Sequence, residues 1–266
     1  MSATETPLLE AHGISKRYGH VQALDDVSLA IHKDEVVALV GDNGAGKSTL
    51  IKILSGVYMF DSGSIRVRGE DARFHSPHDA ARAGIATLYQ DLALVDSRSV
   101  AANLYLGREF TRGPFVDRRR INREATRVIQ ELGAHVPSVQ VPARLLSGGQ
   151  RQVVAIGRAT VQGGELMIMD EPTAALGVAE AARVLDLVVD LRNRGKSILI
   201  VSHNLEHVWR IADRIVVLNR GRVVGERRRA ESSVDEIVRM IVYGSADGPP
   251  LSLDRNDSAD EVLRTP

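Results

Sequence analysis

The sequence predicts an α/β fold built on a mostly parallel sheet. Continuous apolar runs predict buried strands over residues 35–40, 165–170 and 197–201. Apolar residues at helical spacing follow them and predict helices over residues 178–194 and 204–212. Strands that alternate with helices are typical of a parallel sheet. Shorter stretches with apolar and polar residues in alternation, such as 27–31 and 63–69, predict an additional antiparallel layer.

The composition excludes several classes of function. The chain has 266 residues, with 34 Lys plus Arg, 34 Asp plus Glu and no cysteine. A protein without cysteine has no disulfide framework, thiolate zinc site, iron–sulfur cluster or cysteine nucleophile. A net charge of zero argues against nucleic acid as a partner bound through a basic surface. Neither a signal peptide nor a run long enough to span a bilayer is visible, so we expect a cytosolic chain that can still dock on a membrane partner.

A glycine-rich loop follows the first buried strand and opens a helix. This phosphate loop, residues 41–49, has the pattern Gly-x-x-x-x-Gly-Lys-Ser and predicts a nucleoside triphosphate site. Glycines let backbone amides turn toward phosphate oxygens, and the helix adds its positive end. The lysine neutralises the β- and γ-phosphates, and the serine hydroxyl is a ligand for magnesium. A turn that binds nothing is the alternative. The predicted nucleotide-binding residues here are Gly41, Asp42, Asn43, Gly44, Ala45, Gly46, Lys47, Ser48 and Thr49.

A second glycine pair lies about 100 residues further on. Residues 146–150, the signature turn, have the sequence Leu-Ser-Gly-Gly-Gln and precede an apolar-periodic helix. Serine followed by two glycines at a helix start is a candidate anion site. Taken alone, such a segment is more often an N-cap and a turn.

An acidic pair ends the strand predicted at residues 165–170. Asp170 and Glu171 follow an apolar run, and the carboxyl end of a parallel strand is where open α/β sheets hold ligands. We expect Asp170 to hold magnesium through water and Glu171 to polarise an attacking water. Capping or surface acids are the alternative.

Together, the phosphate loop, Gln90, the signature turn, the acidic pair and His203 resemble an ATP-binding cassette (ABC) ATPase over residues 8–243. The resemblance implies a P-loop NTPase fold, with a RecA-like core, an antiparallel β subdomain and a helical subdomain at about residues 91–160. The cassette would cover residues 1–245 and leave a flexible polar tail at 246–266. ATP and Mg²⁺ are the implied cofactors.

The resemblance also implies a role for single residues. It places Ser48, Gln90 and Asp170 near magnesium, and Glu171, His203 and Gln90 in catalysis. Tyr18 matches the aromatic residue that stacks on adenine, the alternative being a tyrosine packed at a turn. The family pairs two cassettes face to face, so that the signature turn of one copy contacts the γ-phosphate held by the other. The residues of this turn implied to bind nucleotide are Ser147, Gly148, Gly149 and Gln150.

One position departs from the family pattern. The catalytic glutamate is usually followed by Ser-Ala-Leu-Asp, whereas this chain has Ala-Ala-Leu-Gly over residues 174–177. Gly177 therefore lacks the carboxylate that helps to couple the two sites. Glu171 and His203 are retained, so we expect coupling rather than hydrolysis to be affected.

Segments 89–109 and 172–177 resemble the ATPases of bacterial carbohydrate importers. The resemblance implies a homodimer at the cytoplasmic face of the inner membrane, beneath transmembrane permease subunits fed by a periplasmic sugar-binding protein. Uptake of a monosaccharide is the implied process, with a single cassette in this chain. Soluble ABC ATPases, such as those of cluster assembly, are an alternative, as is a regulator that binds nucleotide without hydrolysis, which the retained Glu171 disfavours.

Two weaker patterns have ordinary explanations. His203 and His207 have the i, i+4 spacing of metal ligands on a helix, but no third ligand accompanies them. The arginine runs at 118–120 and 227–229 are typical of solvated faces in a chain without net positive charge.

Overall fold

The computed structural model describes residues 6–133 and 136–248. A six-stranded sheet forms its centre, in the strand order β12-β11-β3-β10-β9-β6. Strands β11, β3, β10, β9 and β6 run parallel to one another, and β12 pairs antiparallel with β11 at one edge. Its members are β3 (Val36–Val40), β6 (Ile85–Leu88), β9 (Leu166–Asp170), β10 (Ser197–Val201), β11 (Arg214–Asn219) and β12 (Arg222–Arg228). The predicted parallel sheet is confirmed.

A second, antiparallel sheet lies against this one. Its order is β2-β1-β4-β5, and its strands are β1 (Leu9–Tyr18), β2 (Val21–Ile31), β4 (Ser62–Val67) and β5 (Glu70–Ala72). Alternate residues of the central strands face opposite ways. Val37 and Leu39 join a core shared with the antiparallel sheet, whereas Val36, Ala38 and Val40 join a core on the other side. The antiparallel layer expected from the alternating stretches is therefore present.

Helices cover the central sheet and connect its strands. They are α1 (Lys47–Leu54), α2 (Pro77–Arg82), α5 (Gly148–Gln162), α6 (Val178–Asn193), α7 (Leu205–Ile211) and α8 (Val234–Tyr243). Their buried apolar faces supply most of the core opposite the antiparallel sheet, with Val184, Val188 and Ile237 almost fully buried. Helix α8 was not predicted from the sequence.

The segment between β6 and β9 forms a third core of its own. It contains α3 (Val100–Leu104), a small hairpin of β7 (Thr111–Arg112) and β8 (Phe115–Val116), and α4 (Arg118–Glu131). Leu104, Ala125 and Val154 are buried together there, the last contributed by α5. The expected bounds of a helical subdomain, 91–160, and of a cassette, 1–245, stay predictions. Most of the expected tail, residues 249–266, lies outside the described residues.

Candidate nucleotide site

The phosphate loop joins β3 to α1, as the sequence pattern requires. Gly41 and Gly46 have φ of 154° and 106°, in the region that favours glycine. A Cβ on Gly41 would lie 2.1 Å from the carbonyl oxygen of Leu218, and one on Gly46 would lie 2.5 Å from that of Ala23. Neighbouring backbone therefore requires glycine at both positions.

Lys47 is the first residue of α1 and is only 9% exposed. Its Nζ donates to the carbonyl oxygens of Gly41, at 2.7 Å, and Asp42, at 2.9 Å. Burial lowers the pKa of the Lys47 ammonium, and the carboxylates of Glu171, Asp42 and Asp170 partly offset that effect. The carbonyl oxygens of the phosphate loop thus bind the buried ammonium of Lys47, beside the space that the N-terminus of α1 faces.

Two acidic residues at the end of β9, Asp170 and Glu171, border the same space as Lys47. Burial is the main cause of the raised pKa of Asp170, and the adjacent carboxylate of Glu171 adds to it. The ammonium groups of Lys47 and Lys52 act in the opposite direction. A bound cation beside Asp170 would favour its ionised form.

Glu171 is held by the loop that follows β10. Its φ is 51°, a left-handed conformation that is uncommon for a residue with a side chain. Its Oε1 accepts from the backbone N–H of His203 at 3.0 Å and lies 2.8 Å from Nδ1 of the same residue. Both contacts fall on Oε1, so they orient the carboxylate without using Oε2.

These groups line one cavity of about 360 Å³. The sequence therefore predicted a set of residues that the fold does bring together from four separate segments. Of the predicted residues, Gly41, Asp42, Asn43, Lys47, Ser48, Gln90, Asp170, Glu171 and His203 line it. Gly44, Ala45, Gly46 and Thr49 belong to the loop and its helix but do not line this space.

Gln90 lies two residues beyond β6, in a loop that an unpredicted arginine holds. Arg158 of α5 donates through Nη1 to the carbonyl oxygen of Ala93, at 2.7 Å, and through Nη2 to that of Leu92, at 2.5 Å. Burial lowers the pKa of its guanidinium. Ala93 itself has a φ of 46°. In the sequence, the only sign of this role is that Arg158 lies next to apolar positions of the helix that follows the signature turn.

The signature turn lies elsewhere on the same chain. Ser147, Gly149 and Gln150 line a different cavity, also of about 360 Å³, together with residues of α6 and residues just beyond the end of α4, such as Leu132. Ser147 is the N-cap of α5, and its Oγ accepts from the backbone N–H of Gln150, whose side chain accepts from the N–H of Ser147. This reciprocal pair is a capping box. Within one chain the turn is a helix cap, and it does not reach the space beside Lys47.

Tyr18 also lies outside the cavity beside Lys47. It ends β1 with 42% of its surface exposed, and its ring packs edge-on against Tyr58, with ring centroids 5.9 Å apart. The ammonium of Lys16 is 5.7 Å from the Tyr18 ring centroid. Tyr18 is therefore partly exposed, between Lys16 and a neighbour that the sequence did not predict, Tyr58.

His207 is occupied by a protein contact. Its Nδ1 lies 3.0 Å from Oγ1 of Thr173, which follows the acidic pair. Within residues 6–133 and 136–248, no group of three or more His, Cys, Asp or Glu side chains is arranged to hold a metal ion.

A glycine loop on the first helix, a buried lysine and a pair of acids at the end of a parallel strand define a P-loop nucleotide-binding protein of the α/β class. Residues 24–174 match the family model described as ABC transporter. The chain belongs to the ABC transporter family of ATP-binding cassette ATPases and binds ATP.

The chain is similar to three named sugar-import subunits. It is 44% identical to the xylose/arabinose import ATP-binding protein XylG of Sulfolobus acidocaldarius, over 88% of this chain and 93% of the relative. It is 45% identical to the fructose import ATP-binding protein FrcA of Rhizobium meliloti, over 82% of this chain and 87% of the relative. The ribose import ATP-binding protein RbsA of Caldanaerobacter subterraneus is 40% identical over 89% of this chain, which spans 48% of that relative.

Solved structures show the same fold. A nucleotide-free ATP-binding cassette from an ABC transporter superposes with a TM-score of 0.76 at 26% identity, over 89% of this chain and 95% of that one. A solved ADP conformation of an ABC transporter cassette gives 0.76 at 27% identity, over 88% of this chain and 94% of that one. None of the helices within residues 6–133 and 136–248 has the length and apolar character needed to cross a membrane.

Proposed function

We propose that the cavity beside Lys47 binds the phosphates of ATP and catalyses hydrolysis of the terminal phosphoryl bond. The observation that carries this proposal is the convergence of Lys47, Glu171 and His203 on one space next to the N-terminus of α1. The lysine and the helix N-terminus supply positive charge for phosphate oxygens. The carboxylate of Glu171 supplies a base on the opposite side of the cavity.

The same cavity fits Mg²⁺. Ser48, Gln90 and Asp170 present a hydroxyl, an amide and a carboxyl group to it, and magnesium prefers such oxygen ligands. Magnesium bound there would neutralise charge on the β- and γ-phosphates. The raised pKa of Asp170 supports this assignment, because a cation relieves the cost of a buried carboxylate beside another acid.

In the proposed reaction, Glu171 orients and polarises a water molecule. The water oxygen bonds to the terminal phosphorus while the bond from that phosphorus to the ADP oxygen breaks, and the water proton leaves toward Glu171. His203 keeps the carboxylate in place through its N–H and Nδ1 contacts with Oε1. Lys47 moves its hydrogen bonds from the loop carbonyls to phosphate oxygens.

We infer that two cassettes share each nucleotide. The signature turn opens onto a separate cavity, so within one chain it has no phosphate to bind. Its exposed Ser147 at the start of the 15-residue helix α5 suits an anion brought by a second copy. We propose a homodimer in which Ser147 and Gly149 of each copy meet the γ-phosphate held beside Lys47 of the other, with Tyr18 stacking on the adenine.

The relatives support sugar import as the process that hydrolysis drives. Those described above are named for the import of xylose and arabinose, fructose, or ribose. We propose that this chain is the ATP-hydrolysing subunit of a monosaccharide importer. It would lie at the cytoplasmic face of the inner membrane, bound to transmembrane permease subunits that receive sugar from a periplasmic binding protein.

Affinity purification of the tagged chain from detergent-solubilised membranes, in a strain that expresses its neighbouring genes, tests the proposal. A permease should co-purify, and a Glu171→Gln chain should recover the same permease while uptake of labelled monosaccharides in the intact strain is lost. Recovery of the active ATPase only from the soluble fraction, with unchanged sugar uptake when its gene is deleted, would contradict import.

A further inference from the structure

An acidic side chain from α6 lies directly on the signature turn. Ser147 Oγ donates to Oε1 of Glu180 at 3.0 Å. Glu180 is half-buried and belongs to the first turn of α6, just after the segment that carries Gly177. The serine hydroxyl that the proposed dimer needs is therefore already hydrogen-bonded within its own chain.

The packing around Gly149 shows that this contact is built into the fold. A Cβ on Gly149 would lie 3.0 Å from Cδ of Glu180 and 3.1 Å from both its Cβ and Cγ. A Cβ on Gly148 would lie 3.4 Å from Cδ2 of Leu176. Because Gly148 and Gly149 have no side chains, the start of α6 can pack directly against the signature turn.

The hydroxyl proton of Ser147 has one acceptor at a time. A serine hydroxyl has one hydrogen to donate, and here it points to the Glu180 carboxylate, while its oxygen accepts from the backbone N–H of Gln150. A γ-phosphate arriving from a second copy offers acceptor oxygens and negative charge. To accept a hydrogen bond from Ser147, the γ-phosphate must replace Glu180 as the acceptor. Its negative charge is also repelled by the Glu180 carboxylate as it approaches.

We propose that Glu180 competes with the partner's nucleotide for the Ser147 hydroxyl and thereby sets the ATP concentration at which two copies close. The proposal rests on the shared sites inferred above. In a symmetric dimer the Ser147–Glu180 hydrogen bond must break in both copies, so its cost counts twice in the free energy of dimerisation. Glu180 does not line the cavity beside Lys47 within this chain. We therefore expect it to affect dimer formation and not the chemical step.

The test uses the full chain with Glu171→Gln, which removes hydrolysis and leaves dimerisation as the readout. Light scattering during an ATP titration gives the ATP concentration at half-maximal dimer. Adding Glu180→Gln should lower that concentration about three- to tenfold, because the side chain keeps its shape and loses its charge. Glu70→Gln is the matched control, since it removes an exposed carboxylate on β5, away from the turn, and should have no effect.

Two further measurements separate competition from simple support of the turn. Raising the salt from about 0.05 M to about 0.5 M should shrink the difference between the chains with and without the Glu180→Gln substitution, because screening weakens charge repulsion. In a Ser147→Ala background the gain should be smaller, because no hydroxyl has to be released. An equal gain with and without the hydroxyl would overturn the competition.

The outcomes also separate this proposal from the one on which it rests. If the Glu171→Gln chain dimerises with ATP but Glu180→Gln leaves the titration unchanged or needs more ATP, Glu180 supports the turn and the competition is wrong, while shared sites stand. If ATP produces no dimer of the Glu171→Gln chain at all, the proposal of shared nucleotide sites is wrong, and so is the proposed role of Glu180.

Discussion

The phosphate loop and the signature turn both place glycines before a helix, yet they lie in different surroundings. In the phosphate loop, Gly41 and Gly46 are pressed against backbone, and a buried lysine bonds back to the loop. In the signature turn, Ser147 is exposed and completes an ordinary capping box. Charged groups from β9 and the segment after β10 enclose the first region, whereas the second faces α6 and the residues just beyond α4. Two similar glycine turns at helix starts thus form one enclosed site and one exposed surface.

The largest effect should come from the enclosed region. Glu171→Gln removes the base but keeps the shape, and should lower turnover by about 10²- to 10⁴-fold. Binding of ATP, measured by isothermal titration, should change little because the phosphate cradle is intact. Glu206→Gln, at an exposed acid on α7, is the control and should keep its activity. Near-normal hydrolysis by Glu171→Gln would remove this residue from the catalytic role.

Lys47→Ala should act on binding itself. The loss of charge-assisted hydrogen bonds to phosphate costs about 1.5–3 kcal/mol, or roughly 10- to 150-fold in Kd. Replacement of the exposed Lys33 by Ala removes the same charge away from the loop and should leave the Kd unchanged. An unaltered Kd for Lys47→Ala, in a chain that melts normally, would contradict the assignment of the cavity to phosphates.

The difference between the two regions explains how far the sequence could predict the site. The phosphate loop, Asp170 and Glu171 follow buried strands whose apolar runs are visible in the sequence, so their convergence could be predicted. Arg158 and Glu180 act through contacts with segments distant along the chain, and no local pattern indicates which partner they meet. The sequence also predicts that Gly177 affects coupling, and the helix predicted over residues 178–194 already implies its place as the N-cap of α6.

Arg158→Lys should have an intermediate effect, since it tests the link between α5 and the loop that follows Gln90. An ammonium cannot reach both carbonyls in the forked geometry of a guanidinium. We expect kcat to fall about tenfold or less while the KM for ATP stays within about twofold, because the phosphate cradle is untouched. Arg127→Lys, at an exposed ion pair on α4, is the control. A higher KM with unchanged kcat would show that Arg158 supports binding instead.

Gly177→Asp should have the smallest effect. Gly177 caps α6 with φ −66°, a conformation open to any residue, and a Cβ there would meet nothing within 4 Å. An aspartate can supply the missing side-chain cap, for a gain over glycine of a few tenths of a kcal/mol (~0.3), measured by urea unfolding. Turnover should change by less than about tenfold, or about 1.4 kcal/mol in the barrier, with the Hill coefficient shifting more than the maximal rate. A large loss of maximal rate with unchanged cooperativity would contradict a role in coupling alone.

The central claim is that the two glycine-rich turns serve one nucleotide from different copies of the chain, and mixing two inactive variants tests it most directly. We expect Lys47→Ala to damage the phosphate loop, and Ser147→Arg to block the signature turn while the monomer still binds ATP. In a heterodimer of the two, both lesions fall at one shared site and leave the other intact. Hydrolysis should therefore reappear on mixing, at a level that rises with the measured fraction of heterodimer. Heterodimers that form but stay inactive would contradict the sharing of sites.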